Sequence, residues 1–223
     1  VLVTAHWEKN SPVVSSGERP DLLFDYYGFP SESYSYKYAA EGSPGVSQRV
    51  FDLLQGAGLH PSLDVTRGWD HGVFVPMMLI LPEGDIPIVQ LSVCKTQDAE
   101  VHLRMGEALA PLRDDGIAIV GSGMTFHNMM AFRGHVAPGS SVDNTGFDSA
   151  LWEACTLVDP VARRKAFSAW RDWPQADWSH PRGAAEHWMP MLVVVGAGLN
   201  AEKKIATDRF KLWDYHFTSC AFR

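Results

Sequence analysis

Four of the nine histidines stand where an imidazole could do chemistry. His6 follows the apolar run VLVTA in "VTAHWE", which delivers its ring to the end of a strand. His127 follows a second apolar run, residues 117–120, across the turn "GSGMTF". Gly121 and Gly123 in that turn let the backbone approach a ligand closely. His187 lies in "AAEHWMP", in the expected first turn of a helix and next to Glu186. Successive helical residues face different ways, so only one of this pair is expected to point at a shared site. His71 sits in "RGWDHGVFVP", where Asp70 could hold or polarise it. Each ring taken alone reads equally well as a packed core residue or part of a helix cap. The spacings are too wide for a local zinc motif. Chemistry therefore requires several rings to converge from different strand ends, as in a non-haem Fe(II) or catalytic Zn(II) site built on a sheet.

The elements that must position these rings follow from periodicity. Runs rich in β-branched residues predict strands at 1–5, 12–14, 86–93 and 117–120. Helical spacing of Val101, Met105, Ala108, Leu109 and Leu112 predicts a helix that stops at Gly116. Further helices are predicted at 46–54, at 147–170 with a break at Pro160, and at 186–195 with Gly196 and Gly198 closing it. The alternation indicates α/β architecture: one domain over residues 1–223, with a central, mostly parallel sheet flanked by helices. Ligands of such sheets bind beyond the carboxyl ends of the strands. Loops are expected at 17–42 and 131–145. The first is aromatic ("DYYGFP", "SYSYKY"), and Tyr26, Tyr27, Phe29 and Trp188 could line a pocket or simply pack. Asn128 could orient a neighbouring side chain. His102 falls off the apolar stripe of its helix and is expected to be solvated; His60, His135, His180 and His216 are expected to have no direct chemical role.

Composition narrows the function classes. A net charge of -7 without a dense basic run disfavours nucleic-acid partners. The longest apolar stretch, residues 189–199, is too short to span a bilayer, so no membrane role is expected. Cys94, Cys155 and Cys220 form no Cys-x-x-Cys pair, and the odd number argues for unpaired thiols in a reducing cytoplasm. The opening "VLVTAHWE" reads like the middle of a buried strand, which implies missing chain upstream.

The segments "VLVTAHWE", "DYYGFP", "RGWDHGVFVPMMLILPEGDIPIVQLSV", "ALAPLRDDGIAIVGSGMTFHN" and "EHWMPMLVVVGAG" occur in this order. Together they resemble the class III extradiol dioxygenases, in particular the 4,5-DOPA dioxygenase branch of the protocatechuate 4,5-dioxygenase β-subunit superfamily. The resemblance covers nearly the whole chain. It implies a single α/β domain that opens the ring of a small catechol with O₂ at a non-haem metal. It further implies His6 and His187 as metal ligands, and His127 as a catalytic acid/base residue close enough to be a third ligand. His71 becomes a catalytic histidine of the substrate pocket. Fe(II) is the implied active metal, and Zn(II) could occupy the same donors. A homodimer is compatible with this reading. The resemblance also implies a ligand in a His-Gly-Ser-Pro-like turn, and no such motif occurs in the sequence. The chain is thus expected to be incomplete at its N-terminus. A metal-dependent hydrolase or a catalytically inactive binding homologue stays open as an alternative.

Overall fold

The computed structural model describes residues 1–134, 143–201 and 204–222 of the chain. Five strands make one sheet: β1 (Leu2–Lys9), β2 (Val13–Ser15), β3 (Ser62–Asp64), β4 (Gln90–Cys94) and β5 (Val120–Ser122), in spatial order β3-β2-β4-β1-β5. β1 pairs in parallel with β4 and β5, β2 in parallel with β3, and a single antiparallel contact, Val14 with Leu91, joins the halves. The expected mixed α/β architecture with a mostly parallel central sheet is what the chain adopts. Leu2, Val3, Thr4 and Ala5 of β1 and all five residues of β4 are buried. Such near-continuous burial requires cover on both faces of the sheet.

Helices supply that cover. They are α1 (Pro44–Gly56), α2 (His71–Ile80), α3 (Ala99–Leu109), α4 (Met129–Phe132), α5 (Thr145–Thr156), α6 (Pro160–Ser168), α7 (Ala176–Ser179) and α8 (Met189–Ala197). α3 and α8 cross with their backbones nearly touching, because Gly106 and Gly196 meet there. A Cβ on Gly106 would fall 2.0 Å from the Val193 carbonyl oxygen. A hairpin, β6 (Lys204–Leu212) and β7 (Tyr215–Phe222), completes the described chain. No helix among the described residues is long and apolar enough to cross a membrane.

Several boundaries differ from expectation. The 86–93 strand begins only at Gln90: Pro87 has no amide, and the Ile88 amide donates to the Glu41 carbonyl instead of the sheet. The 117–120 strand shifts to Val120–Ser122, because the Ile117 amide closes a turn on the Leu112 carbonyl. His102 is buried, not solvated. Its Nε2 accepts the Cys94 amide at the end of β4 (3.0 Å), its Nδ1 faces the Asp98 carbonyl (2.6 Å), and burial pushes its pKa down to about 4. Cys155 and Cys220 form a disulfide that joins α5 to β7, so the expectation of unpaired thiols fails for these two. The pairing depends on tertiary docking, which local spacing does not encode. Cys94 is a free buried thiol, as expected. The 17–42 loop contains one 3₁₀ turn, Ser31–Tyr34. Most of the expected 131–145 loop, His135 included, lies outside the described residues.

Candidate metal centre

The carboxyl ends of β1 and β5 open on the same side of the sheet, and four imidazoles gather there. His6 arrives through an irregularity in β1. Thr4 pairs with Ser92 and Glu8 with Val93, so residues 5–7 have no partners on β4. A bulge of this kind re-aims a side chain. The His6 amide turns back to the Thr4 hydroxyl instead (3.2 Å).

His71 is the first residue of α2, and Gly72 follows it. A Cβ on Gly72 would lie 2.8 Å from both His6 Cδ2 and Thr4 Oγ1, so only glycine lets α2 start this close to the strand. The helix start is anchored underneath by Asp70, which is fully buried. Asp70 accepts hydrogen bonds from the Thr4 hydroxyl (2.8 Å), the Gln90 amide group (2.7 Å) and Arg67 (3.0 Å). It supports the site from below and does not hold an imidazole.

His127 sits in the turn after β5, its amide donating to the Ser179 carbonyl (3.0 Å). His187 precedes α8; it does not lie in the first helical turn as expected, since the helix begins at Met189. A Cβ on Gly123 would meet the His187 carbonyl oxygen at 2.2 Å, so the glycine turn is what lets these two segments close on each other.

The rings touch in sequence. His71 lies 3.8 Å from His6, His6 meets His187 edge-on at 4.8 Å, and His187 stacks on His127 at 3.6 Å between centroids. Carboxylates flank both ends. Asp25 Oδ1 is 2.7 Å from His71 Nδ1, and Glu186 Oε1 is 3.4 Å from His127 Nδ1. Two sets of donors, His6–Asp25–His71 and His127–Glu186–His187, each bring their ligand atoms within 4.8 Å of one another.

Burial, reinforced by His127 and His6, pushes the His187 pKa down to about 2. Burial and the neighbouring His71 lower that of His6. Both rings are therefore neutral near pH 7, the form that offers a lone pair to a metal. His187 Nδ1 is buried without a hydrogen-bond partner in the protein. A buried orphan nitrogen is costly and calls for a ligand or water. The set His127–Glu186–His187 thus fits a divalent cation, and His6, edge-on to His187, belongs to the neighbouring set. For Glu186, burial raises the carboxyl pKa, but His127, a backbone hydrogen bond and the neighbouring His180 together outweigh it and hold the group below its usual range.

The other sequence candidates divide. Tyr26 and Phe29 line a cavity of about 310 Å³ with Ser33, Tyr36, Val75 and His71. Tyr27 projects into solvent, and Trp188 is fully buried among Phe147, Phe167, Trp170 and His180, so neither lines it. Asn128 caps α4, accepting from the Met130 and Ala131 amides and donating to the Trp178 carbonyl; it orients no imidazole. His180 is core, with Nε2 at the Thr125 carbonyl (3.1 Å). Asp25 was not singled out by the sequence. Its place in "DYYGFP" next to aromatic residues is the only signal that could have found it.

A second cavity of about 710 Å³ runs between β5 and the hairpin; of the four imidazoles only His187 borders it. Arg209 and Asp148 form an ion pair that ties this hairpin to α5, as does the hydroxyl of Thr218, which donates to Asp148 (2.6 Å).

Comparison with known proteins places this geometry in context. Residues 1–222 match the family described as the catalytic LigB subunit of aromatic ring-opening dioxygenase. The chain is 44% identical over 213 residues to "Dioxygenase tasH" of Hapsidospora irregularis, covering 91% of this chain and 65% of that protein. It is 37% identical over 232 residues to "4,5-DOPA dioxygenase extradiol" of Beta vulgaris, covering 98% of this chain and 82% of the relative. The crystal structure of an uncharacterized protein from Escherichia coli K12 superposes with a TM-score of 0.77 at 30% identity, covering 98% of this chain and 83% of that one. The chain thus spans 65% of the length of the first of these relatives.

Proposed function

The chain belongs to the family of the catalytic LigB subunit of aromatic ring-opening dioxygenases, and from that membership we propose that it opens the ring of a small catechol by extradiol cleavage, using O₂ and a non-haem divalent metal. The observation that carries the reading is the run of touching imidazoles at the carboxyl end of the sheet, with the buried nitrogen of His187 lacking any protein partner.

In this reading His6 and His187, whose rings meet edge-on at 4.8 Å although they fall in different donor sets, would hold the metal, and His127 stands beside them as the proton-transfer group. Fe(II) supplies Lewis acidity toward the catechol oxygens and the redox capacity that O₂ chemistry requires, which Zn(II) on the same donors lacks. The remaining groups act on substrate and protons. His127 has Nδ1 turned to Glu186, which leaves Nε2 to take a proton from a catechol hydroxyl and return it to the departing oxygen. Anionic Glu186 stabilises the imidazolium formed in between. His71 stands between His6 and the aromatic cavity, placed to hydrogen-bond a substrate oxygen. Tyr26 and Phe29 seat the substituent of the ring and exclude water from it.

The test is anaerobic reconstitution of the protein with Fe(II), followed by admission of O₂ with a panel of catechols. Oxygen uptake in step with a yellow ring-opened product supports the reading. Stoichiometric iron with no oxygen uptake on any catechol removes it.

A further inference from the structure

Asp25 lies in the aromatic loop, not on the sheet, yet it makes the shortest polar contact of the four-imidazole cluster. Its Oδ1 accepts two hydrogen bonds from one residue: the backbone N–H of His71 (3.0 Å) and the ring at Nδ1 (2.7 Å). Both ends of this contact are built in. On one side, the loop is laced to the segment before α2 by backbone hydrogen bonds from Leu23 to the Trp69 carbonyl (2.7 Å) and from Trp69 to the Asp21 carbonyl (2.9 Å). On the other, Phe24 packs on Phe74 of α2 at 5.5 Å, and Tyr26 lies 5.7 Å from His71 itself.

An ionised carboxylate can only accept. Burial raises the pKa of Asp25, but the hydrogen bonds from His71 prevail and hold it below the usual carboxylate range, so it is an acceptor at neutral pH. The ring nitrogen facing it must then carry the proton, so in the neutral ring the lone pair lies on Nε2.

We propose that Asp25 is a positioning residue: it fixes His71 as the Nδ1–H tautomer, so that Nε2 is the acceptor His71 offers to a hydroxyl of the bound catechol. The inference rests on the ring-opening reading for the identity of the substrate, but not for the tautomer. Because Asp25 shares its loop with Tyr26 and Phe29, the same contact ties the wall of the 310 Å³ cavity to the acceptor nitrogen. The competing role for Asp25 is that of a metal ligand, since its carboxylate also lies within 4.8 Å of ligand atoms of His6 and His71.

The experiment uses the full chain in two states. Metal-free protein labelled with ¹⁵N-histidine is examined by long-range ¹H–¹⁵N correlation at pH 8, with the His71 signals assigned from His71→Gln. The wild type is expected to show His71 protonated at Nδ1. Asp25→Ala, and Asp25→Asn as the near-isosteric variant if alanine does not fold, are expected to shift His71 toward the Nε2–H form. After Fe(II) loading, both variants are expected to retain the wild-type metal stoichiometry, with kcat/KM for unsubstituted catechol lowered about 10–100-fold, the usual cost of removing an orienting partner. An unchanged His71 tautomer in the folded variants overturns the proposal. Loss of iron on substitution also overturns it, in favour of Asp25 as a ligand. If wild-type protein opens no catechol at all, the ring-opening reading fails, while the tautomer measurement still decides the part played by Asp25.

Discussion

The imidazole of His187 stacks on that of His127 with 3.6 Å between ring centroids and 18° between planes. One ring comes from the segment before α8 and the other from the turn after β5. Two protonated rings could not share this space, since like charges so close in a buried setting repel strongly. The stack is stable only while at least one ring is neutral or both face a common ligand. His187 meets that condition, since burial pushes its pKa down to about 2.

Substituting Gly72 tests how tightly His6 is placed. A Cβ there would press on His6 Cδ2 and Thr4 Oγ1, each 2.8 Å away. Gly72→Ala is expected to cost about 1–3 kcal/mol in unfolding experiments, as overpacking does. It is also expected to weaken metal binding, because His6 must rotate away. A variant as stable as wild type with unchanged iron content would show that the ring has room.

His127 and Glu186 are expected to separate chemistry from metal retention. His127→Ala should lower kcat by about 10²–10⁴-fold, the range for losing a general acid/base group. Iron content should stay nearly intact as long as His6 and His187 remain. Glu186→Gln removes the charge that faces His127 Nδ1 at 3.4 Å and should lower kcat less than His127→Ala does. Steady-state kinetics with metal analysis on the same samples checks both; wild-type turnover in His127→Ala would exclude it from proton transfer.

Much of this site is legible in the sequence because the rings follow simple local signals. His6 follows the apolar run that opens β1 and His127 follows a glycine turn, and a parallel sheet delivers such side chains toward its carboxyl edge. What stayed hidden depends on tertiary contact. The continuation of β1 to Lys9 past an interruption at residues 5–7 is invisible, since the apolar run that marks the strand ends at Ala5. Asp25 carries no periodic signal and gains its role only when the loop folds over α2. His102 was misplaced because a polar residue near an apolar stripe gives no sign that it closes the end of β4. The β6–β7 hairpin escaped because charges interrupt its strands and its Trp213-Asp214 turn lacks the glycine of the common two-residue turns.

Acid should destabilise the fold through histidines outside the site as well. His102 is buried with its pKa at about 4, and His180 at about 3, against 6.5 for both in the unfolded chain. The unfolded state therefore binds more protons as soon as pH drops below 6.5. Stability is full above that value, falls as pH decreases, and stops falling only once the folded values are passed. Between pH 6.5 and 5, His102 alone should cost about 2 kcal/mol at 1.36 kcal/mol per pH unit. Urea unfolding at pH 7 and pH 5 checks this, and His102→Gln should reduce the difference. Equal stability at the two pH values would contradict it.

The Cys155–Cys220 disulfide, with a sequence separation of 65, closes a long loop between α5 and β7. Reduction, or Cys155→Ala with Cys220→Ala, is expected to lower the unfolding free energy by about 2–4 kcal/mol, by the chain-entropy argument. Calorimetry with and without reductant measures it; identical transitions would mean that the two thiols are not joined in solution.

Anaerobic titration with Fe(II), followed by calorimetry and by bound-metal analysis, tests the gathering of imidazoles most directly. Wild-type protein should bind one iron per chain, and His6→Ala and His187→Ala should each fail to hold it under the same conditions while keeping their fold. If either variant binds one equivalent of iron as tightly as wild type, these two rings do not share a metal, and the proposed chemistry at this edge of the sheet is wrong.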